Sequence, residues 1–274
     1  MSKVYAPTQQ TPVSVYDHKL KQAQSTDDEV AVEVPVALVY NYISHAVMMA
    51  SPTELEDFAV GFSLTEEIVQ SVDEIEHIHV HYGETGITVR LQITDERFEA
   101  LKTRRRNLVG RTGCGLCGAE TLKQAIRPVT PVKAPKVSHD AINLALENIR
   151  SRQQLNQSTG ATHAVAWCDL TGQIIDIRED VGRHNALDKL VGHLARNAIN
   201  TEAGFVLVTS RASYEMVQKS CFAGIGCLVA ISAPTSLAIE LAQQAGLLLI
   251  GFARTHKQVI YNMPQQAELL DHVI

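Results

Sequence analysis

At 274 residues the chain has room for one large domain or two smaller ones with ample core. With 45% hydrophobic residues, 5% aromatics and a formal net charge of −6, its balance is that of an ordinary globular protein and argues against general nucleic-acid binding. No apolar run approaches the length of a membrane span, residues 1–10 lack a signal peptide's apolar centre, and five cysteines without framework spacing suit a reducing compartment, so the expected address is cytoplasmic.

Residues 1–28 read as a polar start with one short edge strand at Val13-Ser14-Val15-Tyr16. Val30 to Asn41 is a β-rich pair of runs, Ser44 to Ala50 is a further strand, and Asn41-Tyr42 fits a hairpin turn. Ser51-Pro52 is placed to cap a helix, with Thr53, Glu54 and Glu56 in its first turn and Leu55, Phe58, Ala59 and Phe62 on one face. A half-barrel-like stretch of strands is expected from Val72 to Ile93. There His77, His79 and His81 share a strand face on which three imidazoles could reach one metal; with no carboxylate or thiol at hand they read as solvated surface.

Asp95 to Arg106 reads as a helix that delivers the chain to Gly110-Arg111-Thr112-Gly113-Cys114-Gly115-Leu116-Cys117-Gly118. Three glycines around two thiols predict a mobile loop able to present either sulfur to a partner. Lys102, Arg104, Arg105, Arg106 and Arg111 surround it, and no acidic residue stands between Glu99 and Glu120, so the local field favours thiolate. A short helix over 119–126 would put Cys117 at a helix N-terminus, where the dipole acts in the same direction. Four chemistries compete for the pair. A structural zinc site needs a second tight pair, which Cys168, Cys221 and Cys227 do not form. A thioredoxin-like dithiol normally follows an early strand, and a zinc deaminase needs a His-x-Glu that neither His45-Ala46-Val47 nor His77-Ile78-His79 supplies. A nucleophilic or sulfur-carrying thiol ranks above these.

Three prolines between Arg127 and Pro135 exclude regular structure and mark the best boundary. The expected organisation is an N-terminal α+β region over 1–127, a Pro-rich linker over 128–137 and an α/β domain over 138–274. In the last, Ser138 caps a helix carrying Ile142, Ala145, Leu146 and Ile149. Strands over 161–169 and 173–177 follow, joined by Leu170-Thr171-Gly172, and then a helix from Asn185 to Asn197. Alternating strands and helices from Phe205 to Tyr261 imply a partly parallel sheet with helices on both faces.

Ligands of such sheets sit beyond the carboxyl ends of the strands. Three loops are expected there: Thr209-Ser210-Arg211-Ala212-Ser213, Ser232-Ala233-Pro234-Thr235-Ser236 and Phe252-Ala253-Arg254-Thr255-His256-Lys257. Their hydroxyls and the cations Arg211, Arg254 and Lys257 make a phosphate or nucleotide cradle, although each hydroxyl alone reads as a helix cap. Glu179 to Asn185 adds a fourth polar loop, whose acids suit helix capping and whose His184 suits a satisfied interior position.

Taken together these motifs resemble the formate dehydrogenase accessory sulfurtransferases, the FdhD family. The matching stretches are Glu33 to Asn41, Gly110 to Gly118, Thr159 to Ala164, Glu179 to Lys189 and Ser210 to Lys219. The resemblance implies a cytidine-deaminase-like mixed sheet with helices on both faces and no deaminase zinc ligands, a smaller α+β N-terminal domain, and a homodimer. It implies that Cys114 accepts persulfide sulfur from a cysteine desulfurase with Cys117 as helper. The sulfur then passes to the molybdenum or tungsten of a bis(molybdopterin guanine dinucleotide) cofactor, held as cargo and destined for apo formate dehydrogenase. The family's cofactor-binding segment falls on Phe252, Ala253, Arg254, Thr255, His256 and Lys257, and the strand-end cradle adds Ser210 and Arg211. Glycine and arginine would be expected where His256 and Lys257 stand; lysine is a point charge rather than a fork, and histidine lacks glycine's conformational range. The alternative function is a non-catalytic cofactor chaperone whose cysteines are redox or structural, and a weaker third is a zinc-binding module.

Overall fold

The computed structural model describes residues 4–106, 127–265, 267 and 269–270. It opens on a two-stranded antiparallel ribbon, β1 (Thr8–Asp17) and β2 (Gln22–Ala31), paired from Thr8↔Ala31 to Asp17↔Gln22. The short strand expected at residues 13–16 is thus only the middle of a ten-residue strand. Cross-strand pairs such as Ser14↔Ser25 and Thr11↔Asp28 are polar because neither face is buried, and an unburied strand carries no apolar alternation to read.

The second sheet has the order β4-β3-β6-β5, from β3 (Val34–Tyr40), β4 (Ile43–Ala50), β5 (Ile75–Tyr82) and β6 (Ile87–Ile93); it is an open sheet rather than a half-barrel. Val34, Val36, Leu38 and Tyr40 point inward at every second position. Asn41 and Tyr42 both take left-handed backbone conformations, φ 42° and 71°, as a tight hairpin turn requires. The inward face packs on α1 (Leu55–Thr65) and α2 (Asp95–Arg106), with Leu55, Phe58, Ala59, Phe62 and Leu101 buried in that core. Ser51 does not cap α1. The N-cap is Glu54 at φ 43°, and Ser51 is engaged elsewhere: its N–H donates to Asp180 Oδ2 at 2.9 Å and its Oγ accepts from the Val181 N–H at 3.2 Å.

Residues 127–136 form neither helix nor strand. The rest is a mixed α/β layer structure around a six-stranded sheet, order β13-β12-β11-β10-β8-β9. Its strands are β8 (His163–Asp169), β9 (Ile174–Asp180), β10 (Gly204–Val208), β11 (Cys227–Ala230), β12 (Leu248–Arg254) and β13 (Lys257–Asn262). Strands β10, β11 and β12 run parallel, and β8 is antiparallel to both of its neighbours. A small parallel pair, β7 (Val137–Ser138) with β14 (Leu269–Leu270), sits apart. One core holds Leu187, Leu190, Val217 and Leu241, from α5 (Arg183–Arg196), α6 (Tyr214–Phe222) and α7 (Ser236–Ala245). The other holds Ile142, Ala145 and Ile149 of α3 (His139–Arg152), which Ser138 caps by accepting from the Ala141 N–H at 3.0 Å; α4 (Gln154–Thr159) follows it.

The two sheets meet where α1 crosses α5. Asp57 takes Arg178 at 3.1 Å and Arg196 at 2.6 Å. Lys189, fully buried, lies 2.8 Å from the equally buried Asp180 and donates to Ser51 O and Thr53 Oγ1 at 3.1 and 3.0 Å. Charges inside a protein need such partners, so this junction is fixed in register as well as packed.

Candidate functional site

Cys114, Cys117 and the short helix expected after them lie outside the described residues, but the chain on either side of 107–126 is fixed in one place. Before it, Arg104 Nη1 donates to the backbone oxygen of Glu66 at 2.7 Å; after it, Arg127 Nη2 donates to the Glu66 carboxylate at 3.0 Å. Glu66 is the C-cap residue of α1, and its carboxylate also faces Lys219 at 3.4 Å. Burial works against its charge, yet Lys219, Arg127 and Arg104 outweigh burial and hold the carboxyl below its ordinary value. The Tyr214 hydroxyl accepts from the Arg127 N–H at 3.0 Å and donates to the Arg127 carbonyl at 3.3 Å. Both ends of the segment are therefore moored at Glu66, and the second also at Tyr214, the first residue of α6. Tyr214→Phe removes two hydrogen bonds from one mooring, at a cost of about 1–3 kcal/mol. If Cys114 carries sulfur, as the resemblance implies, its loading should slow, by mass spectrometry, with the fold retained in a thermal melt.

The remaining cysteines are unsuited to this chemistry. Cys168, Cys221 and Cys227 are buried free thiols. Burial pushes Cys168 and Cys221 up to about 12, and Cys227 rises for the same reason. Of the five cysteines, only the pair in the Gly-rich stretch is left for thiolate chemistry.

Beyond the carboxyl ends of β10 to β12 the three polar segments do come together. Ala212 bridges Pro234, the Thr235 N–H donates to Ala212 O at 3.1 Å, and the Phe252 N–H donates to Ser232 O at 3.0 Å. Ser210 is buried and its hydroxyl donates to Arg211 O at 3.1 Å, while Arg211 is exposed. Arg254 Nη1 donates to Ala253 O at 2.8 Å and also reaches Ile231 O. Ala253 is buried; Phe252, Thr255, His256 and Lys257 are exposed. The third segment differs from the expected loop: it is the tight turn of the β12–β13 hairpin, with Arg254 paired to Lys257. His256 stands there at φ 65°, a conformation natural to glycine and tolerated by histidine at a cost.

In the fourth polar loop the acids are structural. Glu179 accepts from the Leu155 and Asn156 N–H groups at 2.9 and 2.8 Å, and Asp180 holds Lys189. His184 is half-exposed, with Nε2 2.8 Å from Glu215 Oε2, so it pairs across two helix starts. Glu215 is held below its ordinary value, chiefly by that hydrogen bond. His77, His79 and His81 lie exposed along β5. Among the described residues no group of three His, Cys, Asp or Glu is arranged to hold a metal, and no helix is long and apolar enough to cross a membrane.

The profile of the FdhD/NarQ family matches residues 31–268. The chain belongs to this family. It is 54% identical over 242 residues to the sulfur carrier protein FdhD of Cupriavidus necator, covering 88% of this chain and 84% of the relative. The sulfur carrier protein FdhD of Bordetella petrii is 52% identical over 248 residues, 90% of this chain and 89% of the relative. A crystal structure from Desulfotalea psychrophila, of a protein provisionally described as a formate dehydrogenase accessory protein, superposes with a TM-score of 0.76 at 22% identity, covering 96% of this chain and 100% of that one. At that identity the likeness speaks for the fold. The FdhD/NarQ match takes in the cysteine segment, both of its moorings and all the strand-end segments, and begins as the β1–β2 ribbon ends.

Proposed function

We propose that the chain is a sulfur carrier in formate dehydrogenase maturation, a sulfurtransferase that takes persulfide sulfur from a cysteine desulfurase onto Cys114 and delivers it to a bis(molybdopterin guanine dinucleotide) cofactor. The observation that carries this reading is family membership, with relatives about half identical over most of their length and named as sulfur carriers. The moorings at Glu66 and Tyr214 support it, because they hold both ends of the cysteine segment at one place and its second end beside Tyr214, directly after the segment that leaves β10. The sheet order, with β8 antiparallel beside three parallel strands, supports the deaminase-like description of the core.

Loading balances without an external oxidant. The Cys114 thiolate attacks the outer sulfur of the desulfurase persulfide, forming the new S–S bond as the old one breaks, and the desulfurase thiolate leaves. Release balances if Cys117 attacks the inner sulfur: the outer sulfur departs as hydrosulfide, and the two thiols supply its electrons by becoming a disulfide. Cargo contacts fall to Arg211 and to the 252–257 turn, whose side chains are mostly exposed. We place this chemistry in the cytoplasm, carried out by a homodimer.

The test is intact-protein mass spectrometry after incubation with a cysteine desulfurase and cysteine. Wild type and Cys117→Ala should gain a sulfur adduct that reductant removes, and Cys114→Ala should gain none. No adduct on wild type, with an active desulfurase, would favour the chaperone instead.

A further inference from the structure

The edge of the six-stranded sheet where β9 and β10 end and β8 begins carries a second polar cluster, away from the β12–β13 turn. Because β8 is antiparallel to both neighbours, His163 at its start lies between the starts of α5 and α6. Arg183 is the first residue of α5 and Ser213 is the N-cap of α6, and the two helix starts are tied by His184 Nε2 and Glu215 Oε2 at 2.8 Å. Glu215 is thereby committed to His184. Burial above all, and then the charges of Arg183 and His184, hold His163 below its ordinary value, and Arg183 brings a permanent positive charge to the cluster.

Two side chains in this cluster carry hydrogen-bonding atoms without a partner among the described residues. Arg183 Nε and Ser213 Oγ are closed off from solvent and meet no hydrogen-bond partner among the described residues, and Ser213 does not cap its own helix through its side chain. A buried donor left unmade costs about 1–3 kcal/mol, and two at one spot call for an acceptor. That acceptor must take bonds from several directions and prefer a positive field. A tetrahedral oxyanion does both; a carboxylate, planar and with two oxygens, does so less well.

We propose that Arg183, Ser213, His163 and His184 form a binding site for a phosphate-class oxyanion. As a site for a free anion it is independent of the sulfur-carrier reading; as a site for a nucleotide it rests on that reading, because Ser213 closes the strand-end segment assigned to the cargo. The anion's source is either free phosphate or pyrophosphate, or the phosphates of a nucleotide.

Isothermal titration of the full chain with inorganic phosphate, pyrophosphate, GDP and guanosine tests it. Pyrophosphate should bind, Arg183→Gln should weaken it about tenfold or more, and Ser213→Ala several-fold, as loss of charge-assisted and neutral hydrogen bonds requires. Arg152→Gln, a change of an exposed cation at the end of α3, should leave the affinity unchanged, and circular dichroism checks that each variant is folded. Pyrophosphate binding without GDP binding identifies a free anion. GDP binding that Arg183→Gln weakens identifies a nucleotide. No pyrophosphate binding by wild type at millimolar concentration, equal affinity in folded Arg183→Gln and Ser213→Ala, or guanosine binding as tightly as GDP would each overturn the assignment.

Discussion

Lys219→Met is expected to destabilise the protein by about 3–5 kcal/mol, the usual cost of removing one member of a buried ion pair and stranding the other. Lys219 Nζ lies 2.9 and 3.0 Å from the two Asp188 oxygens and 2.9 Å from Thr65 Oγ1, and Asp188 is 1% exposed, so water cannot take the lysine's place. Against a typical total stability of about 5–15 kcal/mol this is a large fraction. A urea titration of wild type, Lys219→Met, Asp188→Leu and the double variant checks it. The double variant should recover most of the loss, since an apolar pair needs no counter-charge, and a single variant no worse than the double would refute the stranded-charge argument. The pH dependence has a definite sign. Burial opposes the Lys219 charge, but Asp188 and Glu66 outweigh it and hold the ammonium above its ordinary value, so its contribution is complete below that value and is lost only as pH rises through the folded one. Glu66 is the opposite case: held low, it stabilises above its ordinary 4.5 and the contribution is lost as pH falls below that. Lys219 is the largest of the charges that keep Glu66 ionised, so the gap between wild type and Lys219→Met should narrow in acid.

How much of this could be read from the residues follows from where each one spends its side chain. The β-rich run from Val30 to Asn41 made β3 legible, and the helix carrying Ile142, Ala145 and Ile149 was legible from its apolar spacing and its Ser138 cap. The convergence of the strand-end segments followed from strand and helix alternation alone. The ribbon was not legible, because ten paired residues with no buried face leave no pattern. Ser51 was misread as a cap because its hydroxyl serves Val181, 130 positions away, and no local rule records such a claim. Lys189 and Lys219 were missed as buried charges because lysine is read as surface. The signal was present: Asp188-Lys189 stands between Leu187 and Leu190, so both fall within a helix's apolar run. Glu66 gave no signal at all, because its importance lies in what Arg104, Arg127 and Lys219 do around it.

Gly192→Ala and Gly61→Ala should be the most damaging of the glycine-to-alanine changes among the described residues. A Cβ on Gly61 would fall 1.7 Å from the Asp188 carbonyl oxygen, and one on Gly192 would fall 1.8 Å from that of Asp57. Each obstruction is backbone, so no rotamer change relieves it and α1 must move off α5. Moving it pulls Asp57 from Arg178 and Arg196, and Thr65 from Asp188. The cost therefore exceeds the roughly 1–3 kcal/mol of ordinary overpacking; we expect about 4 kcal/mol or more, with the melting temperature lower by on the order of 10 °C. Gly160→Ala is the comparison that isolates the cause. Gly160 sits at φ 67° with nothing within 4 Å of an added Cβ, so only the left-handed backbone is penalised, by about 1–2 kcal/mol. If Gly160→Ala proves as harmful as Gly192→Ala, backbone conformation and not helix contact sets the cost. If Gly192→Ala alone collapses stability, the α1–α5 contact is what holds the two sheets together. Glu66 directly follows the last turn of α1, so a shift of that helix also displaces both moorings of the cysteine segment. Any Gly192→Ala protein that still folds should then load sulfur poorly, although its cysteines are intact.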